Sequence, residues 1–499
     1  MPDVQPIVIR KGRLLNSLSG VASFKDLFIQ GGVIREIGEP SLNVSSEVKV
    51  IDASNMLLIP GLVNAHTHGH GSFSKGLGDR WTLEHLLHAG TWLNGSRDRE
   101  DKYLSAVLNA VEMVLKGCTA TYDLYFEAPL PTTEGIQAVA KAYEDVGVRS
   151  TIAPMIADRS FYEAIPDLFE TFPTTEKKRL SSFLASPREQ ILLTCETLAK
   201  NWSFNQAQTK FALAPTIPLH CSDEFLNSCH EIAFQNNIGL HMHLAESRVQ
   251  AVTGLQKYGK TLTAHLDDLG FLGPNFTAAH GVWLDDDDLR RLADKGCSLA
   301  HNPGSNLRLG SGIAPARKAV DLGLNLGIGT DGSHCADNQN MFEAMRIASF
   351  VSRIRSPDTN QWFKTSEIFT MATEGSAQAL GFGDKIGKIA KGSFADIVFL
   401  NLANVNFIPF NDPINQIVHT EDSSAVDSVM VNGEFILKNR KFVNIDYAKL
   451  CNDVEKTVER LLESNTDSHA LAEKLEGMVS QFCVGLSGTP YHVNRLSYN

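Results

Sequence analysis

The chain has 499 residues, 43% of them hydrophobic and 20% charged, with 45 Lys plus Arg against 57 Asp plus Glu and a formal charge of −12. That composition is ordinary for a globular enzyme with a large core. It excludes a nucleic-acid partner, whose footprint is a concentrated basic patch, and no apolar run reaches the length of a membrane span.

The N-terminal stretch MPDVQPIVIRKGRLL lacks the charged-then-apolar layout of a signal peptide. Residues 1–60 alternate in strand fashion (IVIRKGRLL, DLFIQGGVIREIG, KVIDASNMLLIP) with glycine turns between them, which predicts a small β unit. Residues 61–385 alternate short apolar runs with amphipathic helical stretches. The predicted strands are 61–66, 119–125, 149–156, 210–216, 238–244, 276–282, 297–302 and 324–330. Eight strands in a βα rhythm predict an α/β fold, a (β/α)8 TIM-like barrel with its active site at the C-terminal ends of the strands. Within it, LDDDDLRRL (284–292) is acidic but reads as the capped start of a solvent-facing helix. Residues 386–446 return to strand patterns around an Asn-Gly turn. With 1–60 they predict one small, discontinuous β-sandwich domain made from both termini. Residues 447–499 read as a helix and a tail. Eight cysteines, at 118, 195, 221, 229, 297, 335, 451 and 483, form no CxxC pair and read as buried thiols of a cytoplasmic protein.

The polar residues that carry chemistry fall at predicted strand ends. LVNAHTHGHGSF (62–73) places histidines at 66, 68 and 70. Side chains two apart on a strand share a face, so His66 and His68 both reach the barrel mouth. Gly69 and Gly71 flank His70 and favour a turning chain there, which makes His70 a candidate for substrate contact at the lip of the pocket. His243, His280, His301 and Asp331 end the fifth to eighth strands. Imidazoles with a carboxylate compose a first-row metal site with room for water. His241, earlier in its strand, reads as a buried hydrogen-bonded histidine.

PGLVNAHTH, HLAES, AAHGVWL, HNPGSNLRLGSGIAP and GTDGS together resemble the amidohydrolase superfamily. Within it they are most similar to the aminohydrolases that include S-adenosylhomocysteine/methylthioadenosine deaminase and triazine chlorohydrolases. The likeness spans about residues 5–445, with five motifs in the family's order. It implies a β-sandwich beside a distorted barrel of the amidohydrolase type, and a homo-oligomer. It also implies one divalent metal ion per chain, Zn2+ first and Fe2+ second, held by His66, His68, His243 and Asp331. In the implied mechanism a metal-activated water attacks the amine-bearing ring carbon. Asp331 accepts its proton, Glu246 protonates the ring nitrogen and then helps pass a proton to departing ammonia, and His280 orients the water or steadies the developing charge.

Substrate positions depart from the nucleoside deaminases of this branch. Where those carry a ribose-gripping glutamate, this chain has Asn94 and Gly95, and Thr216 in APTIP stands where they have a histidine. Present instead are His70, Trp81, Trp92 and Arg159, aromatics to sandwich a flat ring and a guanidinium to meet a carbonyl or carboxylate. His301 and Asn302 either shape the pocket or brace Asp331. The expected activity is metal-dependent hydrolytic deamination of an amino-substituted purine, pyrimidine, pterin or triazine. The alternatives are chloride or alkylamine displacement from a triazine, cyclic-amide opening, nucleoside deamination and, outside catalysis, a binding scaffold. Binuclear amide hydrolases use a lysine at the end of the fourth strand. Lys210 starts that strand here, so a single metal is expected.

Overall fold

The computed structural model describes residues 5–17, 19–181 and 187–496. Near the N-terminus lie β1 (Ile7–Arg10), β2 (Arg13–Leu15), β3 (Ala22–Phe24), β4 (Asp26–Gln30), β5 (Val33–Gly38), β6 (Lys49–Asp52) and β7 (Met56–Pro60). The barrel strands follow as β8 (Leu62–Thr67), β9 (Cys118–Phe126), β10 (Arg149–Ile156), β11 (Thr209–Pro215), β12 (Gly239–Leu244), β13 (Phe276–His280), β14 (Ser298–His301) and β15 (Asn325–Ile328). Four more, β16 (Ile397–Asn401), β17 (Val426–Val431), β18 (Glu434–Lys438) and β19 (Lys441–Phe442), return beside the first group.

All eight predicted barrel strands are present, paired in parallel in chain order from β8 to β15. The largest differences at a strand end, two residues each, are at β13 and β15, predicted to run to 282 and 330. His280 (φ 69°) and Gly281 (φ 56°) take left-handed conformations that end β13. Alternation sets what each strand presents. On β12, Leu240, Met242 and Leu244 join the outer core, leaving His241 and His243 to face inward. The barrel floor is lined by small residues, among them Ala65, Ala120, Ala153, Ala212, Ala214 and Ala300.

Closure between β15 and β8 rests on specific contacts. The Asp331 N–H donates to His66 O at 2.9 Å, and the Thr330 N–H to Asn64 Oδ1 at 3.0 Å. Such close approach needs glycine. A Cβ at Gly327 would sit 2.7 Å from Ala65 Cβ, and one at Gly329 would sit 2.9 Å from His66 Cβ.

The terminal strands form two sheets, β5-β4-β1-β6 and β19-β18-β17-β16-β7-β2-β3, the second uniting both ends of the chain. β7 and β16 pair antiparallel, with Leu58 opposite Phe399. Ile9, Leu27, Ile29, Leu58, Ile397 and Met430 pack in one buried cluster. The predicted Asn432-Gly433 turn joins β17 to β18, both residues at positive φ (54° and 80°). The helix Asp286–Asp294 opens on Asp285, whose carboxylate accepts the Asp287 and Asp288 N–H groups. Seven of the eight cysteines are buried and none is paired; Cys451 is exposed. Among the described residues, no helix is long and apolar enough to cross a membrane.

The C-terminal region forms two helices, Tyr447–Ser464 and Thr466–Ser487. The second packs Leu471, Leu475 and Val479 against Phe161, Tyr162 and Leu168. His88, on the helix Leu83–Leu93, links the three segments: its Nε2–H donates to Ala472 O and its Nδ1 accepts from the Tyr162 hydroxyl, each at 2.8 Å.

A buried ion pair ties barrel to sandwich. Arg149, opening β10, donates to both oxygens of Asp396 at 2.6 and 3.0 Å, with both side chains 1% exposed. Arg149→Met leaves the Asp396 carboxylate buried and unpaired, and is expected to cost about 3–5 kcal/mol in chemical denaturation. The Arg149→Met/Asp396→Leu double variant should recover most of that loss.

Candidate metal centre and active site

Four imidazoles converge at the barrel mouth, each held from behind through Nδ1. His68 Nδ1 lies 2.7 Å from Leu124 O, His243 Nδ1 2.8 Å from Thr216 O, and His280 Nδ1 2.9 Å from Asn306 Oδ1. His66 Nδ1 pairs with His241 Nε2 at 3.2 Å. Donating from Nδ1 leaves Nε2 as a bare lone pair. The bare nitrogens face one another: His68 Nε2 and His243 Nε2 are 3.1 Å apart, while the buried Nε2 atoms of His66 and His280 have no hydrogen-bond partner. Asp331 Oδ1 lies 3.2 Å from His68 Nε2 and 3.6 Å from His66 Nε2. Facing lone pairs beside a carboxylate are an arrangement that a cation relieves, and nitrogen and oxygen donors of this kind suit a first-row divalent ion. Ligand atoms of His66, His68 and Asp331, and of His66, His243 and His280, lie within 4.8 Å of one another.

The two carboxyl groups of the site are driven in opposite directions. Burial would raise Asp331, but the hydrogen bond and charge of His68, with His280 and His66, hold it well below the usual carboxylate range. Burial pushes Glu246 well above that range, and the charges of Asp331 and Glu84 add to the shift. The surroundings thus favour the protonated form of Glu246 and the ionised form of Asp331. Its Oε2 is buried without a partner, 3.7 Å from His280 Nε2. Burial lowers His66, His243 and His280. Burial also opposes a charge on His68, but Asp331 outweighs it and raises that imidazole, drawing a proton to the place a cation would fill.

Backbone strain and a polar shell aim these groups. Ala245 (φ 49°), His280 (φ 69°) and Asp331 (φ 64°) are left-handed non-glycine residues around the site. Gln339 donates to Asp331 O at 2.8 Å and accepts from Thr67 and Thr330. Asp123 accepts the Gly69 N–H and the Tyr143 hydroxyl, both at 2.8 Å, fixing the chain just after His68. His241, expected as a buried hydrogen-bonded histidine, sits between His66 and the Tyr122 ring.

A cavity of ≈430 Å³ opens over the cluster, and His68, His243, Glu246 and Asp331 reach it. Its wall includes His70, Arg159 and Thr216, as well as Asn94 and Gly95. His70 lies in a 3-10 turn, Gly69–Ser74, as its flanking glycines predict. At 3% exposure it is inside the cavity and not at the lip. Its Nδ1 accepts the Phe126 N–H at 3.1 Å, which leaves Nε2–H as a donor.

Four expected contacts are displaced. Trp81 lies on Gly78, and Trp92 packs its ring 4.1 Å from His469; both belong to an apolar cluster behind the cavity wall. On β14, Ala300 faces the barrel interior, so His301 faces out, apart from the cavity and from Asp331. Asn302 is fully buried beside Gly329, with neither side-chain atom hydrogen-bonded. Lys210 packs on the Phe382 ring at the floor, away from the metal cluster. Sequence reasoning passed over His334, three residues after Asp331. Buried and lining the cavity, it lies in a cradle where Cβ atoms at Gly71 or Gly332 would strike its ring. Burial drives its pKa down to about 3, so the ring is neutral.

The amidohydrolase family model matches residues 57–436. The chain is 33% identical over 457 residues to the 5-methylthioadenosine/S-adenosylhomocysteine deaminase of Pyrococcus furiosus, covering 91% of this chain and 100% of that protein. It is 30% identical to the 5'-deoxyadenosine deaminase of Methanosphaera stadtmanae, covering 92% and 100%. Among solved structures, a zinc-bound adenosine deaminase from Xanthomonas campestris superposes with a TM-score of 0.81 at 25% identity, covering 92% of this chain and 99% of that one. Zinc-bound atrazine chlorohydrolase from Arthrobacter aurescens gives 0.81 at 26%, covering 91% and 100%.

Elemental analysis of the purified protein is expected to find about one divalent ion per chain. His243→Ala should abolish that content. Chelation should lower the Tm of the parent protein and leave that of His243→Ala unchanged, because only the parent has bound metal to lose.

Proposed function

The chain belongs to the amidohydrolase family, and we propose that within it the protein is a metal-dependent hydrolytic deaminase of an amino-substituted heterocycle. The observation that carries this reading is the placement of two carboxyls at the inner end of one cavity beside the imidazole cluster, Asp331 in surroundings that favour its ionised form and Glu246 in surroundings that favour its acid form. His66, His68, His243 and Asp331 would hold the ion. Zinc is the first choice because the solved neighbours carry it, and iron suits the same donors. When bound, a divalent ion supplies Lewis acidity and a water acidic enough to ionise near neutral pH.

The remaining chemistry belongs to the side chains. Asp331 accepts the proton of the attacking water at a carboxylate oxygen. Glu246 delivers a proton to the ring nitrogen next to the carbon under attack, so that charge developing in the ring is neutralised as it forms. As the C–N bond breaks, Glu246 relays the remaining proton of the added hydroxyl to the departing amine, leaving a C=O group and ammonia, and the proton held by Asp331 then restores the acid form of Glu246. His280, 3.8 Å from Asp331 Oδ2 and 3.7 Å from Glu246 Oε2, stands between the two carboxyls and orients the attacking oxygen. His70 and His334 are neutral imidazoles on the inner wall, suited to read ring heteroatoms. Leu83, Leu86, Phe161 and Tyr162 give the outer wall an apolar surface for a substituent. The relatives named as deaminases of adenosine derivatives support an adenine-type ring. Asn94 and Gly95, in place of a ribose-gripping glutamate, mean that any sugar is held differently. A cytoplasmic, homo-oligomeric state belongs to the same proposal, with the unpaired thiols supporting a reducing compartment.

An ammonia-release screen of metal-loaded protein against 5'-deoxyadenosine, free bases, pterins and triazines tests the activity. Cyclic-amide opening or chloride release without ammonia would sink the deaminase reading. Glu246→Gln is expected to keep metal content and Tm while lowering kcat by about 10²–10⁴-fold. The pH profile carries the same assignment. Glu246 works in its acid form, so turnover should persist until pH rises through its elevated pKa, and a rate that climbs steadily with pH would contradict its role. His334→Ala should raise KM about three- to tenfold, the worth of one hydrogen bond, with a smaller effect on kcat.

A further inference from the structure

His301, displaced from the active site, lines a second cavity. This space of ≈270 Å³ lies outside the barrel wall, between β14, the segment 313–318 that runs into the helix Ala316–Asp321, the helix Met341–Ile354 and the segment 356–363. The neighbouring outward residues, Leu299 and Ile328, are apolar and packed in the core. His301 is 1% exposed, and neither ring nitrogen has a hydrogen-bond partner. Burial, with the charge of His280, drives its pKa down to about 4, so the ring is neutral and offers one N–H and one lone pair.

Four cationic side chains border the same space. Arg317 is engaged by Asp321 and Glu367, and Lys318 by Asp286, so these two are neutralised. Asp285, next along the chain, pairs with His492. Arg355 and Arg495 form no ion pair among the described residues, although Asp286, which also lines the space, and Asp285 act on Arg495 through their charges. Arg495 is 8% exposed; it donates to Leu284 O, its Nε is buried without a partner, and among the described residues no carboxylate pairs with it. Arg355 has no hydrogen bond or ion pair among the described residues, and lies close enough for its charge to help depress Arg495 to about 10, after burial. Two like-charged guanidiniums beside an unsatisfied buried imidazole would be compensated by one anion that accepts from both forks.

We propose that this cavity binds a small molecule through an oxyanion head, phosphate or carboxylate, seated between Arg355 and Arg495 with His301 as the deep hydrogen-bonding partner. The site is separate from the catalytic cavity, since no residue lines both. Calorimetric titration of the metal-loaded protein with inorganic phosphate, and separately with succinate, tests it without relying on turnover. Saturable binding of one molecule per chain is expected for at least one of the two, and which one binds identifies the head group. Arg355→Gln, at an exposed residue with no partner to lose, should keep the parent Tm and metal content while weakening binding at least tenfold. Equal affinity in the parent and Arg355→Gln would place the anion elsewhere, at the metal centre for instance, and overturn the proposal. So would the lack of any saturable binding tighter than about 10 mM.

Discussion

Mutual repulsion among bare imidazole nitrogens is the constraint around which the barrel mouth is arranged. His68 and His243 present lone pairs to each other at 3.1 Å, with the orphaned nitrogens of His66 and His280 beside them and the Asp331 carboxylate between. Nothing in the protein pays for that crowding, so it must be compensated by positive charge at the centre and by rigidity behind each ring. The rigidity is visible. Every Nδ1 has a fixed partner, Asp123 holds the turn after His68, and Gln339 holds the backbone of Asp331. Gly327 and Gly329 let β15 approach β8 closely enough to bring Asp331 and His66 together.

The same crowding separates two chemically similar acids. Asp331 stands among imidazoles that favour its ionised form; Glu246 stands in a dry site near two other carboxyls, which favours its acid form. A base and an acid therefore arise within one cavity from surroundings alone. Strained residues make the juxtaposition possible: left-handed Ala245 turns Glu246 inward, and left-handed His280 and Asp331 end their strands with a bend. Such conformations cost about 1–3 kcal/mol each and persist where the surrounding fold over-determines them.

The convergence of the cluster's side chains was legible because it combines two regularities, the period of a strand and the placement of barrel chemistry at strand ends. His66, His68, His243, His280 and Asp331 all follow from that reasoning, and HLAE places Glu246 beside them. The outer wall was not legible, for identifiable reasons. Trp92 shares its helix with Leu86, Ala89 and Leu93, and that spacing put its ring into a packed cluster. His301 ends its strand like the residues that converge at the barrel mouth, but which face of β14 points inward depends on pairing with β13 and β15, which periodicity alone leaves open. His334 stands one residue past GTDGS and has no period to announce it; only the fold shows its cradle.

The two halves of the active site differ in how much of the chain they require. Every residue of the proposed metal cluster lies between 66 and 331. The outer cavity wall is backed by the helix Thr466–Ser487, through His88, Ala472 and the cluster around Tyr162. The wall that defines the substrate cavity therefore depends on a segment that the proposed metal cage does not draw on. Because each function draws on a different stretch of chain, substitutions at the C-terminus can reshape what the enzyme accepts without passing through the residues that perform its chemistry.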